Sequence, residues 1–189
     1  MKEFLLDVKE LRKRAREHIE RGPVTDGYKA DPVRVIAVLN EALATEIVCV
    51  LRYKRHYYMA SGISADPVAN EFLQHSVEEQ IHADRIAERI TQLQGEPDFN
   101  PEGLLARSHS EYVEGGSLRE MIRENLVAER IAVETYTEIV RWLGDDDPTT
   151  RNLIEDILKT EEEHADDLVN MLKTFNPEKV PTQAKTSHR

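Results

Sequence analysis

Cysteine occurs once in this chain, as Cys49, which excludes an internal disulfide, a cysteine-based zinc site and a rubredoxin-type iron site. Aromatic residues make up only 6%, and glycine and proline number eight each, too sparse for a sandwich or barrel with its many turns. No run approaches the roughly 18 consecutive apolar residues that a membrane-spanning helix needs. The first turns of the chain carry charges throughout and lack an apolar centre, so no secretory signal is expected and the cytoplasm is the default compartment. Positive charge is also short: 25 Lys and Arg against 36 Asp and Glu leave a net charge of −11. That balance argues against a nucleic-acid-binding body. It suits a protein that concentrates cations, and equally a merely soluble surface. What remains is a charge-rich chain of 189 residues, enough for one helical domain with a sizeable core.

Turn residues divide the chain. Residues 2–20 read as a short amphipathic helix closed by Gly22-Pro23, giving an N-terminal extension over 1–22. Asp31-Pro32 is an N-cap followed by proline at the first helical position, and the helix it opens runs to about Ser61-Gly62. Asp66-Pro67 repeats the signal for a second long helix ending near Gly95-Glu96-Pro97. Residues 96–116 hold two prolines and three glycines and read as a long crossover. Ser117-Leu118-Arg119-Glu120 is a capping box for a third helix that closes near Gly144. Asp147-Pro148 opens a fourth, ending before Asn176-Pro177, and the polar tail 176–189 is expected to be disordered. The expected fold is all-α: over 31–175, two hairpins joined by one long crossover, the ferritin-like variant of the four-helix bundle. A helical repeat array is the competing arrangement, but it needs a shorter period.

Two Glu-x-x-His pairs stand out, each about 33 residues after a lone glutamate. Glu46 precedes Glu79 and His82, and Glu129 precedes Glu161 and His164, with the halves offset by 82 or 83 residues. Side chains three apart share a helix face and can share a metal ion. Glutamate is so frequent here that such pairs arise by accident, so their position decides. Each long helix carries an apolar stripe at three- and four-residue steps. The stripes read Val35, Leu39, Ala42, Glu46, Val50, Tyr53, Tyr57; Phe72, His75, Glu79, His82, Ile86, Ile90, Leu93; Leu118, Ile122, Asn125, Glu129, Ala132, Tyr136, Ile139, Leu143; and Leu153, Ile157, Glu161, His164, Leu168, Met171, Phe175. Every stripe contains a glutamate midway, and two contain a histidine one turn on. Four buried carboxylates without a cation would cost several kcal/mol each. Four Glu and two His in a duplicated half-site are the ligand set of a di-iron carboxylate centre in a four-helix bundle. Oxygen and imidazole donors suit iron or manganese, with zinc a possible substitute.

These residues carry a resemblance. Asn40-Glu41-Ala42-Leu43-Ala44-Thr45-Glu46 through Tyr53, and His82-Ala83-Asp84-Arg85 with Glu88-Arg89-Ile90, resemble the first two bundle helices of bacterioferritins. Leu126-Val127-Ala128-Glu129 and Ile157-Leu158-Lys159-Thr160-Glu161 to His164 match the last two more loosely. The resemblance covers about residues 33–175. It implies two irons per chain, Glu46 and His82 holding one, Glu129 and His164 the other, with Glu79 and Glu161 bridging and Tyr53 beside the centre. It implies a ferroxidase in which O2 or H2O2 oxidises Fe(II), the Fe(III) mineral being held in a homo-oligomeric cage. A di-iron oxidase or peroxidase without storage is the alternative. The family holds haem through a methionine directly after the second-helix glutamate; Gln80 stands there, so haem is not expected. The short fifth helix of the family is not evident, since Asn176-Pro177 leads into a polar tail, and an extra N-terminal helix is expected before the first. The chain is therefore most similar to bacterioferritin-like mini-ferritins, for which a 12-subunit shell rather than 24 is implied. The different His/Asp pattern of ordinary Dps proteins is not found.

Secondary candidates remain. Tyr53 and Tyr136 each lie seven residues after a lone glutamate, positions for an electron donor, for a hydrogen bond to a ligand, or for simple packing. Cys49 reads as a small core residue, and His75 as a core histidine or a partner of the metal ligands. Asp145, Asp146 and Asp147 could line a cage pore or, in the case of Asp147, cap the last helix. The basic run Lys9 to Arg16, repeated over a shell, offers a Dps-like DNA-binding possibility against a solvated helix face.

Overall fold

The computed structural model describes residues 6–62 and 65–174. Six α-helices occur among them: α1 (Val8–Arg14), α2 (Pro32–Met59), α3 (Ala65–Gln92), α4 (Leu104–Arg107), α5 (Leu118–Leu143) and α6 (Pro148–Thr174). The four long helices have 28, 28, 26 and 27 residues, each about 40 Å at 1.5 Å per residue. Helix α2 packs chiefly on α3 and α5 on α6, and the two hairpins then close into a bundle through α2 with α5 and α3 with α6. The crossover lies along α2, with the single turn of α4 set into it. No described helix is long and apolar enough to cross a membrane.

Local chemistry sets the helix limits. The Asp31 carboxylate accepts from the Val33 amide at 3.0 Å, with Pro32 in the first turn, where its missing N–H costs nothing. Ser117 accepts from the Glu120 amide at 3.2 Å, while Glu120 reaches back to the Gly116 amide at 2.8 Å, a capping box shifted by one residue. Asp147 accepts from the Thr150 amide at 2.9 Å and caps α6. The second long helix starts at Ala65, one residue before the expected cap, because Asp66 and Pro67 are both tolerated within a first helical turn.

The apolar interior is split in two. One cluster joins Val35, Leu39, Ile86, Ile90, Ile139 and Ile157; the other joins Tyr53, Val68, Phe72, Ile122 and Leu168. Between them lies a polar layer that includes Glu46, Glu79, Glu129, Glu161, His82 and His164, none more than 4% exposed. The four sequence stripes are the buried faces, with Tyr57, Leu118, Leu153 and Met171 half-buried at their ends. Phe175 and the tail 176–189 lie outside the described residues, as do the first five.

Two expectations need correction. The N-terminal helix spans Val8–Arg14 rather than 2–20, followed by a 3-10 turn at Ile19–Arg21, and neither buries a residue. Among the described residues nothing buries its apolar side, and a seven-residue helix has little beyond its own backbone to extend it. Asp147 is 1% exposed and therefore no pore residue. It binds Arg89 Nη2 at 3.1 Å, accepts from the Tyr28 hydroxyl at 2.7 Å and also takes the Thr150 hydroxyl. Only Asp145, paired with Arg151 at 3.2 Å, and Asp146 remain at the surface.

The Asp147 cluster ties the segment before α2 to both hairpins, so charge loss there is costly. Burial raises the Asp147 pKa, but hydrogen bonds from Thr150 and Tyr28 and the Arg89 charge outweigh it and hold the carboxyl below its ordinary value. Asp147→Asn, which strands a buried guanidinium, is expected to lower the unfolding free energy by about 3–5 kcal/mol near neutral pH. A depressed folded pKa contributes stability above the unfolded value of about 3.9, and that contribution disappears as pH falls through the folded value. Urea unfolding of both proteins should show the gap narrowing in acid; a gap independent of pH would assign Asp147 a packing role only.

Candidate metal centre

The six candidate ligands come from all four long helices at one level of the bundle: Glu46 from α2, Glu79 and His82 from α3, Glu129 from α5, Glu161 and His164 from α6. The i,i+3 spacing within α3 and within α6 puts each histidine beside its own glutamate. They form two overlapping quartets, Glu46/Glu79/His82/Glu161 and Glu79/Glu129/Glu161/His164, with donor atoms of each quartet within 4.8 Å of one another. Glu79 and Glu161 belong to both.

The sharing is atom by atom. His82 Nδ1 lies 2.9 Å from Glu161 Oε1, 3.3 Å from Glu46 Oε2 and 3.4 Å from Glu79 Oε2. His164 Nδ1 lies 3.5 Å from Glu161 Oε2, 3.5 Å from Glu79 Oε1 and 4.0 Å from Glu129 Oε2. Glu79 and Glu161 thus each turn one oxygen toward each histidine. The sequence repeat reappears as an approximate twofold relation between the halves. Tyr53, on the first half, donates to Glu129 of the second, and Tyr136 donates to Glu46 in return. Both tyrosines are fully buried.

Hydrogen bonding leaves the centre unsatisfied. Glu46 Oε2, Glu79 Oε1, Glu129 Oε2, both Glu161 oxygens and the Nδ1 atoms of His82 and His164 are buried with no hydrogen-bond partner. Such atoms are rare in folded proteins and costly. They converge on two points between hard oxygen and imidazole donors, a set that fits two divalent cations of the iron, manganese or zinc kind.

Electrostatics point the same way. Burial, then the charges of Glu79 and Glu161, push the carboxyl pKa values of Glu46 and Glu129 well up. Burial also raises Glu79, but its contacts with Glu46, His164 and His82 overcome that and hold Glu79 well below the usual range. Burial disfavours charged imidazoles, yet the contacts to Glu161 and its neighbours raise His82 far above its ordinary value and push His164 up to about 12. Without a metal, then, the cluster retains protons on its imidazoles and on the outer carboxylates.

Around this layer sit supporting groups. Glu78 meets His164 Nε2 at 2.8 Å and fixes the orientation of the ring. His75 is 1% exposed, stacks on His164 with centroids 3.9 Å apart, and is held down at about 4 by burial and then by the His164 charge. Gln80 is exposed and donates to Asp84 at 2.9 Å. Cys49 is buried, its thiol pushed up by burial, and it accepts a long contact from Arg52 at 3.4 Å.

Arg52 lies outside the apolar stripe of α2. It is fully buried with no carboxylate partner; Asn125 Oδ1 at 3.0 Å, Ser110 Oγ at 2.9 Å and the Glu111 carbonyl at 2.9 Å hold it instead. The signal was a second stripe on α2: Thr45, Cys49, Arg52 and His56 face the crossover, where Thr45 accepts from the His109 amide and His56 contacts the Val113 carbonyl.

The family model of the ferritin-like domain matches residues 36–176. A bacterioferritin of Mycobacterium tuberculosis is 30% identical over 143 residues, 75% of this chain and 86% of the relative. The dodecameric thioferritin of Bacteroides fragilis, a bacterioferritin-related protein, superposes with a TM-score of 0.75 at 31% identity, covering 78% of this chain and 89% of that one. Rhodobacter capsulatus bacterioferritin, solved with a metal-free dinuclear site and a haem iron, gives 0.70 at 27% identity, covering 79% and 89%. By its sequence and by its bundle, this chain belongs to the ferritin-like family.

Proposed function

We propose that this protein is a ferroxidase that oxidises Fe(II) at an intrasubunit di-iron centre and stores the Fe(III) product inside a homo-oligomeric shell. The observation that carries this reading is the pair of buried Nδ1 atoms, each facing three carboxylates, two of which are shared. Glu46 and His82 hold one iron, Glu129 and His164 the other, and Glu79 and Glu161 bridge. Fe(II) is the substrate: two ferrous ions each give up one electron, and O2 or H2O2 takes the pair. The four carboxylates favour the ferric product by their charge. Tyr53 and Tyr136 orient the terminal glutamates through their hydroxyls, and Glu78 orients His164. The apolar clusters on either side keep water out and strengthen every charge interaction between. Haem has no part in this reading, since the side chain at position 80 offers no thioether. The similarity to the dodecameric Bacteroides fragilis protein supports a 12-subunit shell over 24.

Anaerobic Fe(II) titration is expected to saturate at two ions per chain, with O2 or H2O2 then consumed in proportion. Glu79→Gln or Glu161→Gln replaces one carboxylate oxygen with an amide nitrogen and takes away the negative charge that both halves share, and is expected to slow Fe(II) oxidation beyond the roughly 10–100-fold typical of lost outer partners. Full activity in both variants would overturn the assignment. Light scattering before and after aerobic iron loading tests the shell: a particle near twelve subunits retaining hundreds of irons is expected, and a dimer holding two irons per chain would leave only an oxidase.

The imidazoles and outer carboxylates, whose pKa values are raised, must release protons when cations bind. Metal affinity is therefore expected to fall as pH drops, and binding of Zn(II) in weak buffer should acidify the solution. Isothermal titration in buffers of different ionisation enthalpy measures the proton count; a count of zero would contradict the electrostatics described above.

A further inference from the structure

Arg52 is the largest side chain that the described bundle buries completely. Its guanidinium cannot lose its proton in a folded protein. Yet among the described residues no carboxylate touches it. Nε donates to Asn125 Oδ1 at 3.0 Å, Nη1 to Ser110 Oγ and to the Glu111 carbonyl, both at 2.9 Å, and Nη2 to Cys49 Sγ at 3.4 Å. Every one of these acceptors is neutral. Arg89, also buried, has the Asp147 carboxylate at 3.1 Å. A buried charge without a counter-ion is costly. Here polar groups satisfy the geometry of the guanidinium and leave its field uncancelled.

That field acts on the glutamate layer. The guanidinium carbon lies 5.7 Å from the centre of the Tyr53 ring, and the Tyr53 hydroxyl donates to Glu129. Asn125, which holds Arg52, stands about one helical turn before Glu129 on α5. Glu129 is accordingly the carboxylate that acts most strongly on Arg52. A fixed positive charge has opposite effects on the layer when empty and when filled. With no cation present it favours ionised donors. With cations present it repels them, and a ferric ion more than a ferrous one. Across a distance of two side chains, with an effective dielectric of about 20, one charge changes cation affinity by about tenfold or more.

We propose that Arg52 is a positioning residue for turnover: its uncancelled charge loosens the hold of the glutamate layer on cations, trivalent more than divalent, so that oxidised iron leaves the centre. It rests on the ferroxidase reading for the nature of the cargo. Arg52 touches neither iron nor any of the six donors, and acts through the field it sets across Tyr53. The neutral acceptors are what make it effective, since a carboxylate in place of Ser110 or Asn125 would cancel the charge at its source. A layer of four glutamates is otherwise built to retain the ferric product. The guanidinium offsets that retention and leaves the donors ionised for the next pair of ferrous ions.

Zinc is the probe of affinity, because it does not change oxidation state. Calorimetric titration of the full chain, in competition with a chelator, is expected to give a pair of Zn(II) ions per wild-type chain. Arg52→Gln keeps an amide donor but loses the charge, and should bind the pair about tenfold more tightly. Ser110→Asp sets a carboxylate against Nη1 with Arg52 in place, and should do the same; it carries the test should Arg52→Gln not fold. Arg52→Lys and Ser110→Ala keep the charge and should match wild type. Two successive aerobic additions of Fe(II), each enough to fill the centre once, then read turnover. In Arg52→Gln and Ser110→Asp the second should be oxidised about tenfold more slowly than the first, with Fe(III) held in the centre by Mössbauer spectroscopy; wild type should oxidise both alike. Wild-type zinc affinity in Arg52→Gln and Ser110→Asp would overturn the proposal. Tightening in Ser110→Ala would overturn it too, by assigning the effect to the grip on the crossover. Tighter zinc with an unaltered second addition would overturn the role in turnover. A wild-type chain that binds no zinc pair would instead sink the ferroxidase reading itself.

Discussion

Four carboxylates and two imidazoles buried in one layer, with seven of their polar atoms unpaired, are the constraint around which this bundle is organised. In an interior that gave them neither protons nor cations, their mutual repulsion and desolvation would exceed the few kcal/mol by which a domain is stable. The structure meets that cost from outside the layer. An apolar cluster on each side fixes the helix spacing, and tyrosines reach across the bundle to hold the terminal glutamates. Caps at Asp31, Ser117 and Asp147 set where three of the four long helices start, and so which residues arrive at the layer.

The two halves are alike at the centre and unlike around it. Glu46 and Glu129 have matching tyrosine partners, and His82 and His164 matching carboxylate triads. Beyond them the match ends. Only the His164 side has Glu78 behind the ring and His75 stacked upon it. The crossover side has the buried Arg52, held by neutral groups and contributing an uncancelled positive charge near Tyr53. One side is thereby equipped with acidic and imidazole groups leading toward solvent, and the other is closed by the crossover.

Much of this was legible in the chain. The duplicated Glu-x-x-His pairs and their upstream glutamates were readable because helical periodicity turns a spacing into a face, and each stripe was buried as written apart from its ends. The capping signals located the helices to within a residue or two, since caps are local chemistry. What escaped depends on distant partners. Arg52 has the sequence of a surface residue, and its burial is decided by Ser110, Glu111 and Asn125, 58 to 73 positions away. Asp147 was legible as the cap of the last helix but not as a buried group, and Arg89 and Tyr28, far away in sequence, are what bury it. The N-terminal stripe was amphipathic, but its described helix buries no residue and is short.

The division of Glu79 and Glu161, one oxygen to each histidine, also bears on how such a centre fills. In the proposed centre, an ion held on one half would draw on both shared carboxylates and leave their other oxygens already turned toward the second half. A second ion would then meet donors whose positions the first had fixed. Such a centre would favour filling as a pair, and a lone ferrous ion, the form that would hand a single electron to oxygen and release a radical, would be disfavoured.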